Sequence, residues 1–224
     1  MRYIDDLIHW REQFRQQGIA LNDLPKLPDT LYIGGLDLAE RVDHTAFTIL
    51  MWDGTNLKQY GQSVWPHIKY KEILEDLREI SLKLAIQTIG FDETGGGIPI
   101  GEFFGEYLPM DPVQLSQQKK LDCLRVVQFL SQNKILQIEE NSRLEAELLE
   151  QEKIITDAGN ITYKHPQGRH DDLFWSMALA CYVAVPYIVG CAPAAIEVAG
   201  DYPEDVDNTI TEAMHRYMYP WRFR

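Results

Sequence analysis

Three stretches of the chain carry acids in settings suited to chemistry: Asp37 in GGLDLAERVD, Asp92 in IGFDETGGG, and Asp171-Asp172 in GRHDDLFWSMALA. The first two lie in or close apolar, strand-like runs and the third opens an apolar helical run. Carboxylates so placed can converge in space although they are distant in sequence. Hard divalent cations such as Mg²⁺ or Mn²⁺ are held by a few carboxylates, which leaves positions open for water and phosphate oxygens. Two such ions about 3.5–4 Å apart activate a water and stabilise the leaving oxygen in phosphodiester cleavage.

Each acid also has an ordinary use. Asp37 sits mid-pattern in an apolar run, where an unpaired carboxylate is expensive to bury, so chemistry is the stronger reading. Asp92 ahead of Glu93-Thr94-Gly95 suits an Asx-type turn equally well. Of Asp171 and Asp172, one is expected to cap the helix and the other to face the site, with Asp172 preferred as the ligand. The glycines Gly95–Gly97 follow a strand and precede a helix, yet no GxxxxGK[ST] pattern occurs in the chain, which excludes P-loop ATP hydrolysis by this polypeptide. His44, His165 and His170 lack HxxxH or HExxH spacing and read as loop histidines. His170, beside two aspartates, is balanced between that role and a place near the site.

The elements that position these acids follow from periodicity. Residues 31–39, 44–53 and 57–66 read as three strands joined by short turns, an antiparallel meander. Ile73, Leu74, Leu77, Ile80 and Leu84 recur at helical spacing over Tyr70–Leu84. A strand over 84–92, a helix around Ile98–Tyr107, a strand over 109–116 and helices over Lys119–Ser131 and Asn141–Ile155 follow. ITYKHPQGR is a short strand and loop, and the apolar helix starts at Asp171. Strands in a meander, then strands alternating with helices, predict an α/β fold: a mixed sheet with helices on both faces. Residues 1–30, with IDDLIHWREQFRQQG and then Pro25 and Pro28, read as a leader and linker, 31–190 as the main domain, and 191–224 as a tail that packs on the core or docks a partner.

The chain has 224 residues, 45% hydrophobic and 25% charged, which suits one soluble domain with extensions. Its 21 Lys and Arg against 34 Asp and Glu give a net charge of −13, which argues against a protein that coats DNA nonspecifically. Cys123, Cys181 and Cys191 are scattered, so neither a disulfide framework nor a zinc site is expected and the compartment is reducing. The N-terminus lacks the apolar core of a signal peptide. Leu173–Ile196 carries no charge and exceeds the roughly 20 residues that span a bilayer, but Pro186, Gly190, Pro193 and its many small residues suit a helix buried in a globular core. No membrane association is expected.

Taken together, GGLDLAERVDHTAFTIL, IGFDETGGGIPIGEFF, the Lys119-Lys120 pair with LEAELLEQE, and GRHDDLFWSMALA resemble the C-terminal nuclease domain of viral and phage large terminase subunits, over about residues 31–185. The resemblance implies an RNase H-like fold and a metal-dependent endonuclease that cuts double-stranded viral DNA during genome packaging. It implies two divalent cations, Mg²⁺ or Mn²⁺, held by Asp37, Asp92 and Asp172 with Asp171 adjacent. Asp43, Glu93 and His170 are candidates for the surroundings of those ligands. It further implies a terminase ATPase motor, a small terminase subunit and a portal as partners, and the host cytoplasm or nucleoplasm as the setting. Since full-length members carry the motor ahead of this domain, the chain is expected to be a separated domain, an excised piece or a split-gene product. Lys164 and Arg169 are the best-placed DNA contacts, with Lys119, Lys120, Arg125, Lys134 and Arg143 extending a modest phosphate path. Competing readings are another RNase H-like phosphodiesterase, a junction resolvase or exonuclease, and a non-catalytic packaging-assembly module.

Overall fold

The strand residues LYIGGLD and TAFTILMW are apolar on both alternating faces, so they must lie in a sheet that is covered on both sides. A computed structural model describes residues 26–38, 44–65, 70–94, 103–140, 142–155, 161–164 and 171–189. In it β1 (Leu31–Asp37) pairs antiparallel with β2 (Thr45–Trp52), which pairs antiparallel with β3 (Leu57–Trp65). β4 (Thr88–Asp92) runs parallel to β1, β5 (Met110–Val113) parallel to β4, and the two-residue β6 (Leu136–Gln137) parallel to β3. The order across the six-stranded sheet is β5-β4-β1-β2-β3-β6, which is the mixed sheet the sequence predicts. A separate antiparallel hairpin pairs β7 (Glu152–Ile155) with β8 (Ile161–Lys164).

The two faces carry different helices. α1 (Tyr70–Leu84) buries Ile73, Leu74, Leu77, Ile80 and Leu84, the five residues that its periodicity singles out, against Tyr32, Leu36, Phe47, Ile49 and Phe91. Each such burial contributes roughly 1.5–3 kcal/mol, which is what holds the helix on the sheet. The indole N–H of Trp65 at the end of β3 donates to buried Asp76 of α1 at 3.0 Å. On the opposite face lie α2 (Gln117–Gln132), α3 (Arg143–Leu149) and α4 (Asp172–Val189), packed with Ile33, Ala46, Leu50 and Trp52 of the sheet. Ser116 and Ser142 cap α2 and α3, their hydroxyls accepting from the amides of Lys119 and Glu145.

Two expectations need correcting, and one strand is unexpected. The helix over Asn141–Ile155 ends at Leu149, where the Glu150 amide closes back on Ala146 and Leu148, and 152–155 forms β7 instead. Its Ile154 and Ile155 take Thr162 and Ile161 as ladder partners, so the backbone leaves the helical path that the spacing upstream suggests. The strand over 84–92 starts at Thr88, because Leu84 closes α1 and Ala85 turns the chain at φ 52°. β6 is not anticipated at all, since two residues carry no periodicity. Of the helix around Ile98–Tyr107, residues 103–105 are helical and 95–102 lie outside the described residues, as do the leader helix and the tail. No helix among the described residues is long and apolar enough to cross a membrane.

Candidate active site

Strand parity decides where the acids face. Along β1, Tyr32 and Leu36 belong to the core under α1, whereas Ile33 belongs to the core under α4. Alternation then turns Asp37 to the α4 side. On β4, Ile89 and Phe91 face α1, so Asp92 also turns toward α4. Parallel pairing sets Leu36 opposite Phe91, which brings Asp37 and Asp92 side by side at the carboxyl ends of adjacent strands.

Glycine brings the third acid to them. A Cβ on Gly35 would overlap the backbone carbonyl of Ser176 and come within 2.5 Å of the Ala180 amide, and one on Gly90 would lie 2.9 Å from the Leu179 carbonyl. The α4 backbone therefore rests directly on β1 and β4, which explains Gly35 in IGGLD, Gly90 in IGFD and the small residues of SMALA. A buried hydrogen bond of 2.7 Å between the Thr48 and Ser176 hydroxyls fixes the helix along the sheet. So seated, α4 starts at Asp172, next to the paired strand ends.

The electrostatics reflect this convergence. The Asp37 carboxyl is raised well above the usual carboxylate range, first by desolvation and then by the negative charges of Asp172, Asp171 and Asp92, while Lys120 opposes the shift. Asp172 is only 5% exposed, and its Oδ2 lies 3.7 Å from Nδ1 of His44. Asp92 accepts the Thr94 amide and hydroxyl at 2.9 and 2.8 Å, so it forms the Asx turn as well as joining the cluster. The amide of Glu93 extends the pairing to β5 through the Val113 carbonyl. Asp171 accepts the Trp175 indole N–H at 3.0 Å, and its carbonyl takes the Trp175 amide, the first bond of α4.

The cap of α4 comes from elsewhere. Glu147 Oε2 accepts the amides of Leu173 at 2.8 Å and Phe174 at 3.1 Å, the two donors an aspartate at 171 is expected to take. Desolvation pushes the Glu147 carboxyl up to about 7 although Arg143 and the two amides oppose this. Sequence reasoning misses this residue, because its role depends on α3 folding against α4. The only hint is the i,i+4 pair of Arg143 and Glu147 beside the buried Leu144 and Leu148.

The basic residues are distributed unevenly. Lys119 donates to the Tyr182 hydroxyl at 2.7 Å, and Lys120 stands 5.1 Å over the Trp175 ring, so both α2 lysines rest on aromatic residues of α4. Arg125 pairs with Asp122, and Arg143 pairs with Glu147 at 2.9 Å, which ties Arg143 to the helix start. Lys164 ends β8. Asp43, His165, Arg169 and His170 lie outside the described residues.

Among the described residues, no three His, Cys, Asp or Glu side chains already close on a single point as ligands. The donor set nevertheless fits a hard divalent cation. Asp37, Asp92 and Asp172 offer only oxygen, they come from three elements, and they share a field that positive charge relieves.

No protein-family model matches this chain, and no curated protein matches it. Solved structures do. The large terminase nuclease from thermophilic phage G20c with bound magnesium is 20% identical, with 70% of this chain and 82% of that chain covered and a TM-score of 0.62. The large terminase nuclease domain of Thermus phage P74-26 is 19% identical over 69% of this chain and 80% of its own, with a TM-score of 0.60. The HK97 bacteriophage large terminase is 15% identical over 71% of this chain and 40% of its own, with a TM-score of 0.57. The likeness is one of fold: this chain has the RNase H-like fold of large terminase nucleases.

Proposed function

We propose that the chain is the nuclease unit of a large terminase, a divalent-cation-dependent endonuclease that cuts double-stranded viral DNA during genome packaging. The observation that carries this reading is the convergence of Asp37, Asp92 and Asp172 at one end of a sheet whose fold is shared with a nuclease that binds magnesium. Asp37, at the end of the central strand β1, would hold the ions together with Asp92 and Asp172, with Asp171 beside them. Bound there, the two ions, Mg²⁺ or Mn²⁺, supply an activated water and charge stabilisation of the leaving oxygen. The carboxylates by themselves repel a phosphodiester, so the metal-free chain excludes its own substrate. His44 lies against Asp172, and Lys120 adds positive charge near Asp37. Lys119, Lys120, Lys164 and Arg169 offer a local phosphate path across a chain of net charge −13. Tight hold on DNA then resides in partners: the ATPase motor, the small terminase subunit and the portal, within the host cytoplasm or nucleoplasm.

A substrate panel tests this reading. Plasmid and linear duplex should be cut without sequence preference, whereas selective cleavage of four-way junctions favours a resolvase.

Asp171 and Asp172 should separate under mutation. Asp172→Asn is expected to abolish plasmid nicking and weaken Mn²⁺ binding by roughly tenfold or more, a loss typical of disturbed metal sites, while Asp171→Asn keeps much of both. Reversal of that order exchanges the two roles.

The raised Asp37 carboxyl predicts a pH dependence. Its folded pKa exceeds its unfolded one, so without metal its contribution to stability falls as pH rises through that window. In chelator, the melting temperature of wild type relative to Asp37→Asn should fall as pH rises above the ordinary carboxylate range, and Mn²⁺ should raise it more at the higher pH. A difference that grows with pH in chelator contradicts the assignment.

A further inference from the structure

Glu147 is nearly buried, its side chain 6% exposed, and it belongs to α3 rather than to any element that carries the clustered aspartates. Its Oε2 takes the Leu173 and Phe174 amides at the start of α4, and its Oε1 pairs with Nε of Arg143 at 2.9 Å. The first turn of a helix leaves its amides without intrahelical partners, and a carboxylate there meets the positive end of the helix dipole. The usual solution is a side chain just ahead of the helix, here Asp171. With an acceptor supplied from 26 residues away, the Asp171 carboxylate takes the Trp175 indole instead. The helix start that carries Asp172 is thereby tied to α3 across the β7–β8 hairpin, not left to its own local cap.

We propose that Glu147 is a positioning residue for the carboxylate site: it fixes the first turn of α4 so that Asp172 is held against Asp37 and Asp92, and it thereby sets the affinity for divalent cation. This inference rests on the metal reading above. Glu147 supplies no ligand, since its oxygens face amides and a guanidinium. It acts through the residues it anchors. Without it, two first-turn amides lose their acceptor, the turn frays, and the ligand at its head loses register with the strand ends. Partners of this kind, which orient metal ligands from behind, typically change metal affinity roughly 10–100-fold when removed.

The test uses the full chain, with Mn²⁺ titrated by calorimetry and hydrogen exchange followed along α4. Glu147→Ala should bind Mn²⁺ at least roughly tenfold more weakly and exchange faster at residues 173–174, with the middle of α4 unchanged. Glu147→Gln keeps an oxygen acceptor at the same reach and should recover most of both properties. Where truncation unfolds the chain, Glu147→Asp, one methylene too short to serve both amides, should shift both readouts in the same direction. Asp37→Asn is the control: it should lose Mn²⁺ binding while exchange at 173–174 stays at the wild-type rate. Unchanged Mn²⁺ affinity or unchanged exchange in the folded Glu147→Ala chain overturns the inference alone. A wild-type chain that binds no Mn²⁺ overturns the metal reading and this inference with it.

Discussion

Asp37→Asn is expected to give a folded chain that no longer cuts plasmid DNA. The substitution removes charge but almost no volume, and it relieves repulsion from Asp172, Asp171 and Asp92, so in chelator the melting temperature should not fall. What it removes is the carboxylate at the centre of the cluster. Metal-ion stabilisation of transition-state charge is worth several kcal/mol, so a loss of about 4 kcal/mol, or roughly a thousandfold in rate, is expected. Nicking of supercoiled plasmid in Mn²⁺ reads the rate and thermal unfolding reads the fold. Undiminished cutting by a folded Asp37→Asn chain removes Asp37 from the chemistry.

Gly35→Ala should damage both stability and cleavage although it touches no acid. The added methyl overlaps the Ser176 carbonyl and crowds the Ala180 amide, and helix backbone cannot rotate aside as a flexible side chain can. α4 must lift from the sheet. Overpacking of this kind costs about 3 kcal/mol, which for a chain of this size lowers the melting temperature by about 10 °C. Because Asp172 heads the displaced helix, Mn²⁺ affinity should fall along with stability. Gly54→Ala is a suitable comparison, because Gly54 has nothing within 4 Å and only its positive φ of 91° to lose. It should cost stability without affecting Mn²⁺ affinity. A Gly35→Ala chain with wild-type stability and wild-type binding contradicts the contact between α4 and β1.

What was legible in the sequence, and what was not, follows from how far each signal reaches. The meander was legible because its apolar runs are bounded by turn residues, and α1 because its apolar residues recur at helical spacing, down to the five apolar residues that it buries. Asp37, Asp92 and Asp172 stood out because each occupies the end of an element. Their meeting also depends on Gly35 and Gly90, whose function as a seat for a helix more than 80 residues away has no local signature. β7 was hidden because its partner strand comes later in the sequence and its own residues continue an acidic helical run. Glu147 was hidden for the same reason: its acceptors serve amides that only the folded chain brings near. Arg143, read as one member of a phosphate path, also supplies the counter-charge of that cap.

The most direct measurement is digestion of supercoiled plasmid by this chain in parallel with Mn²⁺, with Mg²⁺ and with chelator. The account predicts nicked and linear products in either metal, none in chelator, and activity that falls steeply as salt rises, because only local Lys and Arg contacts oppose the chain's negative charge. Cleavage that persists in chelator, or a folded chain that binds duplex DNA and leaves it uncut in both metals, contradicts it.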